Sequence, residues 1–183
     1  MSIFGGANDI LSVSCDFARI RADLAAMFGE ARSPDCTVVT FTMPDLSPIN
    51  PFSRRLRGRI LQFNDIIRDE AKRYGVLVMD FLQHPLIPDP RLFSEDRLHG
   101  SELGHERLAG ALAWRLGIDG ADKSWADPFP EAPPRLRTRE QLATDVEWAR
   151  RYFRPWLSRG IRRTPPGSRL TAKRPVLTPV PKS

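Results

Sequence analysis

Apolar positions in the first 118 residues switch between two periods, and the switching predicts an α/β order. From Asp16 to Gly29, Phe17, Ile20, Leu24, Met27 and Phe28 recur at helical spacing, with Gly29 placed to end the helix. Cys36-Thr37-Val38-Val39-Thr40-Phe41-Thr42 is a β-rich run between Pro34 and Pro44, the pattern of a buried parallel strand. After the turn-rich stretch Pro44 to Pro51, helical spacing returns over Phe52 to Tyr74. Leu56, Ile60, Phe63, Ile66 and Ile67 face the sheet there, and the charges face water. Gly75 closes that helix, and Val76-Leu77-Val78-Met79-Asp80-Phe81 supplies a second strand. A loop from Leu82 to Glu95 holds three prolines and precedes a last helix, Ser101 to Leu116. Ser101 is its expected N-cap, and Leu103, Leu108, Leu112 and Trp114 are among its apolar residues. Ser2-Ile3-Phe4 reads as the end of one more strand.

This order matches the later half of a doubly wound sheet, in which chemistry gathers on loops beyond the carboxyl ends of strands. Asn8 and Asp9, Thr42 to Pro51, and Asp96 to His99 follow three such ends. Past Gly117 the pattern weakens. Trp125 to Pro134 has four prolines and reads as a strap. Thr138 to Leu157 reads as one helix carrying Leu142, Val146, Trp148, Phe153 and Trp156, with Pro155 expected to kink or end it. Gly160 to Ser183 has five prolines and six basic residues and reads as a flexible tail. The chain therefore divides into a domain over 1–118, a Trp- and Arg-rich helical extension over 119–158, and a basic, proline-rich tail over 159–183.

With 183 residues the chain can bury one substantial core. Its formal charge of +6 is unevenly placed: residues 1–131 hold 15 basic and 19 acidic groups, and residues 132–183 hold 13 and 3. The basic character belongs to the tail, which suits an anionic surface, an acidic partner or plain solubility. Nucleic acid is a poor fit: there is no Gly-rich phosphate loop, and a docked helix explains the aromatics beside Arg150, Arg151 and Arg154 more simply. Cys15 and Cys36 make neither a metal-binding spacing nor a disulfide scaffold, which fits a reducing compartment. No apolar run approaches the length of a membrane span, and Met1-Ser2-Ile3-Phe4 is no signal peptide. The sequence as it stands is expected to be cytoplasmic and to need neither metal nor cofactor.

Chemistry concentrates in Asp96-Arg97-Leu98-His99. Histidine is the natural general base near neutral pH, and a carboxylate three residues before it can fix its tautomer and steady its protonated form. Asn8 carries an amide able to donate to a developing oxyanion, and Gly5 and Gly6 permit a sharp turn before it. Asp9 reads as a turn or helix-start residue. His105 falls about two turns into the last helix, where packing or capping is the simpler role, and His84 sits in a loop without an assigned partner. Ser2, Ser12, Ser14, Ser47, Ser53 and Ser101 all lack the context of a nucleophile elbow.

Taken in order, Gly6-Ala7-Asn8-Asp9 and Asp96-Arg97-Leu98-His99 resemble the Gly-x-Asn-Asp and Asp-x-x-His blocks of the SGNH, or GDSL-type, hydrolases over about residues 1–118. The segment Gly100-Ser101-Glu102-Leu103-Gly104-His105 resembles the opening of that family's last helix. The resemblance implies a flavodoxin-like three-layer sandwich around a parallel sheet, and hydrolysis of small acyl esters, lipids or acylated carbohydrates. It implies His99 as general base, Asp96 as its orienter, Asn8 in the oxyanion hole and Gly6 as the turn residue. The family's serine and glycine blocks have no counterpart here, so no nucleophile is assigned and the sheet is expected to be incomplete at its N-terminal side. The expectation is a truncated esterase or lipase-like chain, inactive by itself, or one half of a split enzyme completed by another chain. A noncatalytic α/β binding domain is the alternative.

Overall fold

The computed structural model describes residues 1–12, 14–133 and 137–161, without the side chains of the last three. Met1–Thr138 form one compact unit, and the chain from Arg139 forms a second. The tail predicted over 159–183 lies outside the described residues from 162 onward, as does Pro134 in the predicted strap.

The sheet of the first unit pairs β1 (Val39–Phe41) with β2 (Leu77–Met79) in parallel, with Val39 opposite Leu77 and Phe41 opposite Met79. Both strands are shorter than their sequence runs. At the start of β1, Cys36 turns back to bond Ser33 O through its own N–H. At its end the Thr42 hydroxyl donates to Asp80 Oδ1 and accepts from Phe81 N, both at 2.8 Å, which joins the two strand ends through a side chain. On the other side of β1, Ile3 N donates to Val39 O and Val39 N donates to Met1 O, a parallel bridge centred on Ser2. The strand end predicted at Ser2-Ile3-Phe4 is therefore present as a single bridge. Arg115 covers the free side of β2 by donating from Nε to Val78 O at 2.9 Å.

Alternation along the strands sends side chains to two faces. Val38 and Val76 join a core built from α2 (Phe17–Ala31) and α3 (Ser53–Tyr74), including Ile20, Leu24, Phe28, Ile60, Phe63 and Ile67. Met79 and Phe81 join Ala111 of α4 (Glu102–Leu116) and Trp125 on the opposite face. Helices thus cover both faces of a short parallel sheet, the α/β layering expected from the sequence. Asn64 of α3 is fully buried and pairs twice with one residue: Met43 N donates to its Oδ1 and its Nδ2 donates to Met43 O, each at 2.8 Å.

Helix ends follow their capping chemistry. Asp16 accepts from Arg19 N and Ser101 from Gly104 N, while Gly75 and Gly117 close α3 and α4 in left-handed geometry. Gly29 does not end α2 as predicted; the helix runs to Ala31 and stops at Arg32, whose extended backbone leads into Ser33 and Pro34. In the second unit the predicted single helix is α5 (Thr138–Trp148), one wide π turn over Ala149–Phe153, and α6 (Arg154–Ile161). Pro155 neither ends the helix nor stops it at Leu157. The wide turn immediately before it accommodates the missing N–H. Trp148, Phe153 and Trp156 stack in sequence at about 6 Å.

Candidate active site

The turn ahead of Asn8 depends on Gly6. Its φ of 92° is left-handed, and a Cβ there would lie 2.9 Å from Phe63 Cε2. Gly6 O accepts from Asp9 N and Ile10 N, starting the single helical turn α1 (Ala7–Ile10) that holds Asn8 and Asp9. Arg59 of α3 fastens the end of this turn, donating from Nη1 to Ile10 O and Ser12 O. Asn8 is exposed.

The Asp96 loop is a hairpin in miniature. Phe93 and Gly100 form an antiparallel bridge, Ser94 N donates to His99 O at 2.8 Å, and Ser94 Oγ donates to Gly100 O. Arg97 occupies the tip in left-handed conformation at φ 57°, and its carbonyl accepts from Asn50 Nδ2. Asp96 Oδ1 accepts from Leu98 N and His99 N at 3.0 Å each. Its Oδ2 stands 2.5 Å from His99 Nδ1. Burial pulls the Asp96 carboxyl upward, but the His99 ring and the two backbone N–H groups outweigh it and hold the group below the ordinary carboxylate value. An ionised Asp96 accepts a hydrogen bond from Nδ1–H, which leaves the lone pair on Nε2. The His99 side chain is 74% exposed and that of Asp96 26%, so the carboxylate lies behind and the ring stands forward.

His99 and Asn8 open on one cavity of about 370 Å³. Its walls are mostly apolar, with Asn8, His84, His99, His105 and Arg107 as the polar side chains, and Phe4, Phe41, Phe81 and Trp125 form an aromatic row across them. Phe4 stacks on Phe41 at 4.2 Å, and the next two steps are edge-to-face at 6.1 Å. None of the described residues lining the cavity is a serine, threonine or cysteine. Nearby hydroxyls are committed elsewhere: Ser53 donates to Asn50 O, Ser94 to Gly100 O and Ser101 to Arg91 O. Among the described residues, no three His, Cys, Asp or Glu side chains gather as a metal site.

The structure revises two histidines. His105 lies in the first turn of α4, is exposed, and packs against Gly100 beside His99. The expected interior helix position is wrong because Ser101 caps the helix immediately before it. His84, without a partner in the sequence reading, packs against Trp125 at 4.9 Å with the rings tilted by 36°, and its Nδ1 accepts from Leu86 N. Burial pushes its imidazole below the ordinary value. Gly104 also gains a role: a Cβ there would fall 2.0 Å from Leu92 O, so only glycine lets α4 meet the strand-like edge of the loop.

Parallel strands clothed by helices on both faces, with an imidazole and a carboxylate on the loop beyond, place the chain among the layered α/β proteins. The chain belongs to the GDSL-like lipase/acylhydrolase family, whose match covers residues 1–107. No curated relative matches it significantly, and neither does any solved structure.

Proposed function

We propose that this chain carries the acid–base half of a serine-type acyl hydrolase, with the hydroxyl nucleophile brought to the cavity by a segment outside the described site. One observation carries the reading: His99, backed by Asp96, and Asn8 line a single cavity whose described walls offer no hydroxyl or thiol. Family membership supports the general class of acyl-ester hydrolysis. In this scheme His99 Nε2 accepts the proton of the incoming hydroxyl as it attacks the acyl carbonyl. The Asn8 amide donates to the tetrahedral oxyanion. Protonated His99, steadied by Asp96, then protonates the departing alcohol, and water releases the acyl group by the same relay in reverse.

The nucleophile-bearing segment is either an extension of this polypeptide or a separate complementing chain. The free thiols of Cys15 and Cys36 suit a reducing, cytoplasmic setting. Among the described residues, no helix is long and apolar enough to cross a membrane. Small acyl esters, lipids and acylated carbohydrates are the substrate classes that this chemistry admits.

The test is p-nitrophenyl butyrate hydrolysis by the 183-residue chain, and by the same chain joined to the polypeptide encoded in frame upstream. The reading expects negligible turnover from the first and His99-dependent turnover from the second. Turnover by the chain alone that one internal Ser→Ala change abolishes would overturn the missing nucleophile. An inactive joined form would favour a noncatalytic binding domain.

A further inference from the structure

The cavity beside His99 has an open end and a closed one. The His99 side chain and Phe4 are 74% and 37% exposed, whereas Phe81 and Trp125 are each 8% exposed. We propose that this cavity holds a straight saturated acyl chain, and that Trp125 with His84 forms the closed end that sets its length. The proposal rests on the hydrolase reading for the orientation of the chain, carbonyl toward His99 and Asn8 and methyl end toward Trp125.

The occupant follows from the walls. Beyond Asn8 and His99 at the mouth, the aromatic row runs inward from Phe4 to Trp125, and Arg107, the charged side chain on the described lining, is engaged by Ser124 O and the Phe129 ring. Such a surface rewards methylene groups and penalises a sugar, most of whose hydroxyls would lose their water against aromatic and aliphatic walls. The volume of about 370 Å³ lies at the lower end of the range for small-molecule sites. His84 does not spoil the wall, because burial disfavours its protonated form and its Nδ1 already accepts Leu86 N.

The closed end is anchored rather than incidental. Trp125 sits on a short turn, Ser124–Ala126, whose Ser124 carbonyl accepts from Arg107 Nη1. Arg107 also stands 5.1 Å over the Phe129 ring, and Arg91 covers the same ring at 4.2 Å while donating to Glu131 O. Arg91 is itself fixed by two bonds to Asp89. Gly110 admits the turn, since a Cβ there would meet Trp125 Cβ at 3.1 Å. Trp125, Phe129 and Glu131 follow the family-matched residues 1–107, whereas His84 lies within them.

The experiment titrates the chain with saturated alkanoates from butanoate to dodecanoate by calorimetry and follows the Trp125 indole signal by NMR. Kd should fall about fourfold per added methylene while the chain extends along the aromatic row, and then level off. In Trp125→Ala the levelling should move to longer chains. Wild-type protein should show an NOE between the ligand's terminal methyl and the Trp125 ring, a readout that survives if the variant fails to fold. Affinity independent of length, levelling unchanged in a folded Trp125→Ala, or no NOE to Trp125 would each overturn the proposal. Binding is read without turnover. Length-dependent binding together with inactive joined protein would therefore count against the hydrolase reading and not against the pocket.

Discussion

Asp96 Oδ1 accepts the backbone N–H groups of Leu98 and His99 while Asp96 Oδ2 stands 2.5 Å from His99 Nδ1. One carboxylate therefore shapes the turn and sets the tautomer of the ring that the turn presents. The two roles separate by substitution. In Asp96→Asn the amide oxygen can still accept from the backbone, but the amide nitrogen is a donor and now faces Nδ1. The His99 proton should move to Nε2, removing its basic lone pair. Nitrogen-detected NMR of the imidazole should show Nδ1–H in the wild type and Nε2–H in the variant; the same tautomer in both would contradict the assignment.

Acid stability should fall in two steps. Burial lowers His84, so the unfolded chain takes up that proton first. The contribution is complete above the ordinary imidazole value of about 6.5 and is lost as pH falls through it toward the lower folded value. Burial raises Asp80 and Asp96, but hydrogen bonds prevail: from Leu82 N, Thr42 and Arg68 to Asp80, and from His99 and Leu98 N to Asp96. Their contribution is present above about 3.9 and disappears as pH falls through their lower folded values. Urea midpoints between pH 7 and 3 should show both declines, and His84→Leu should erase only the upper one.

Two glycines should respond oppositely to the same change. Gly6→Ala places a side chain in left-handed geometry and 2.9 Å from Phe63, at a cost of about 2 kcal/mol or more and several degrees of Tm. Gly58→Ala, exposed within α3 with nothing within 4 Å of the added Cβ, should stabilise by about 0.5–1 kcal/mol. Calorimetric melting of the two variants checks both signs.

Asn64→Ala should cost about 3 kcal/mol or more, because it leaves both Met43 N–H and Met43 O without their buried partner. Met43 lines the cavity, so the loss should also appear as faster hydrogen exchange at the Met43 amide. Unchanged protection at Met43 would contradict the latch.

The centres of the helices and strands were legible because one period marks each buried face: Ile20, Leu24 and Phe28 in α2, and Met79 and Phe81 at the end of β2. Their ends were not. Cys36 has strand company, yet a local bond to Ser33 O takes it out of the strand, and Thr42 ends β1 with its N–H on Met79 O and its hydroxyl on Asp80. The Asp96–His99 pair was readable because a three-residue interval can close within one turn. The cavity was not, since His84, His105 and Trp125 meet only in space and no local pattern joins them. Gly104 gave a signal that passed as a helix-opening residue, although its contact with Leu92 O explains why no side chain fits.

Acyl transfer in the proposed mechanism depends on His99 as the base. Ester turnover by the joined polypeptide should fall at least about a hundredfold in His99→Ala, and far less in His105→Ala, although both rings line the same cavity. Loss in His105→Ala with activity retained in His99→Ala would contradict the central claim.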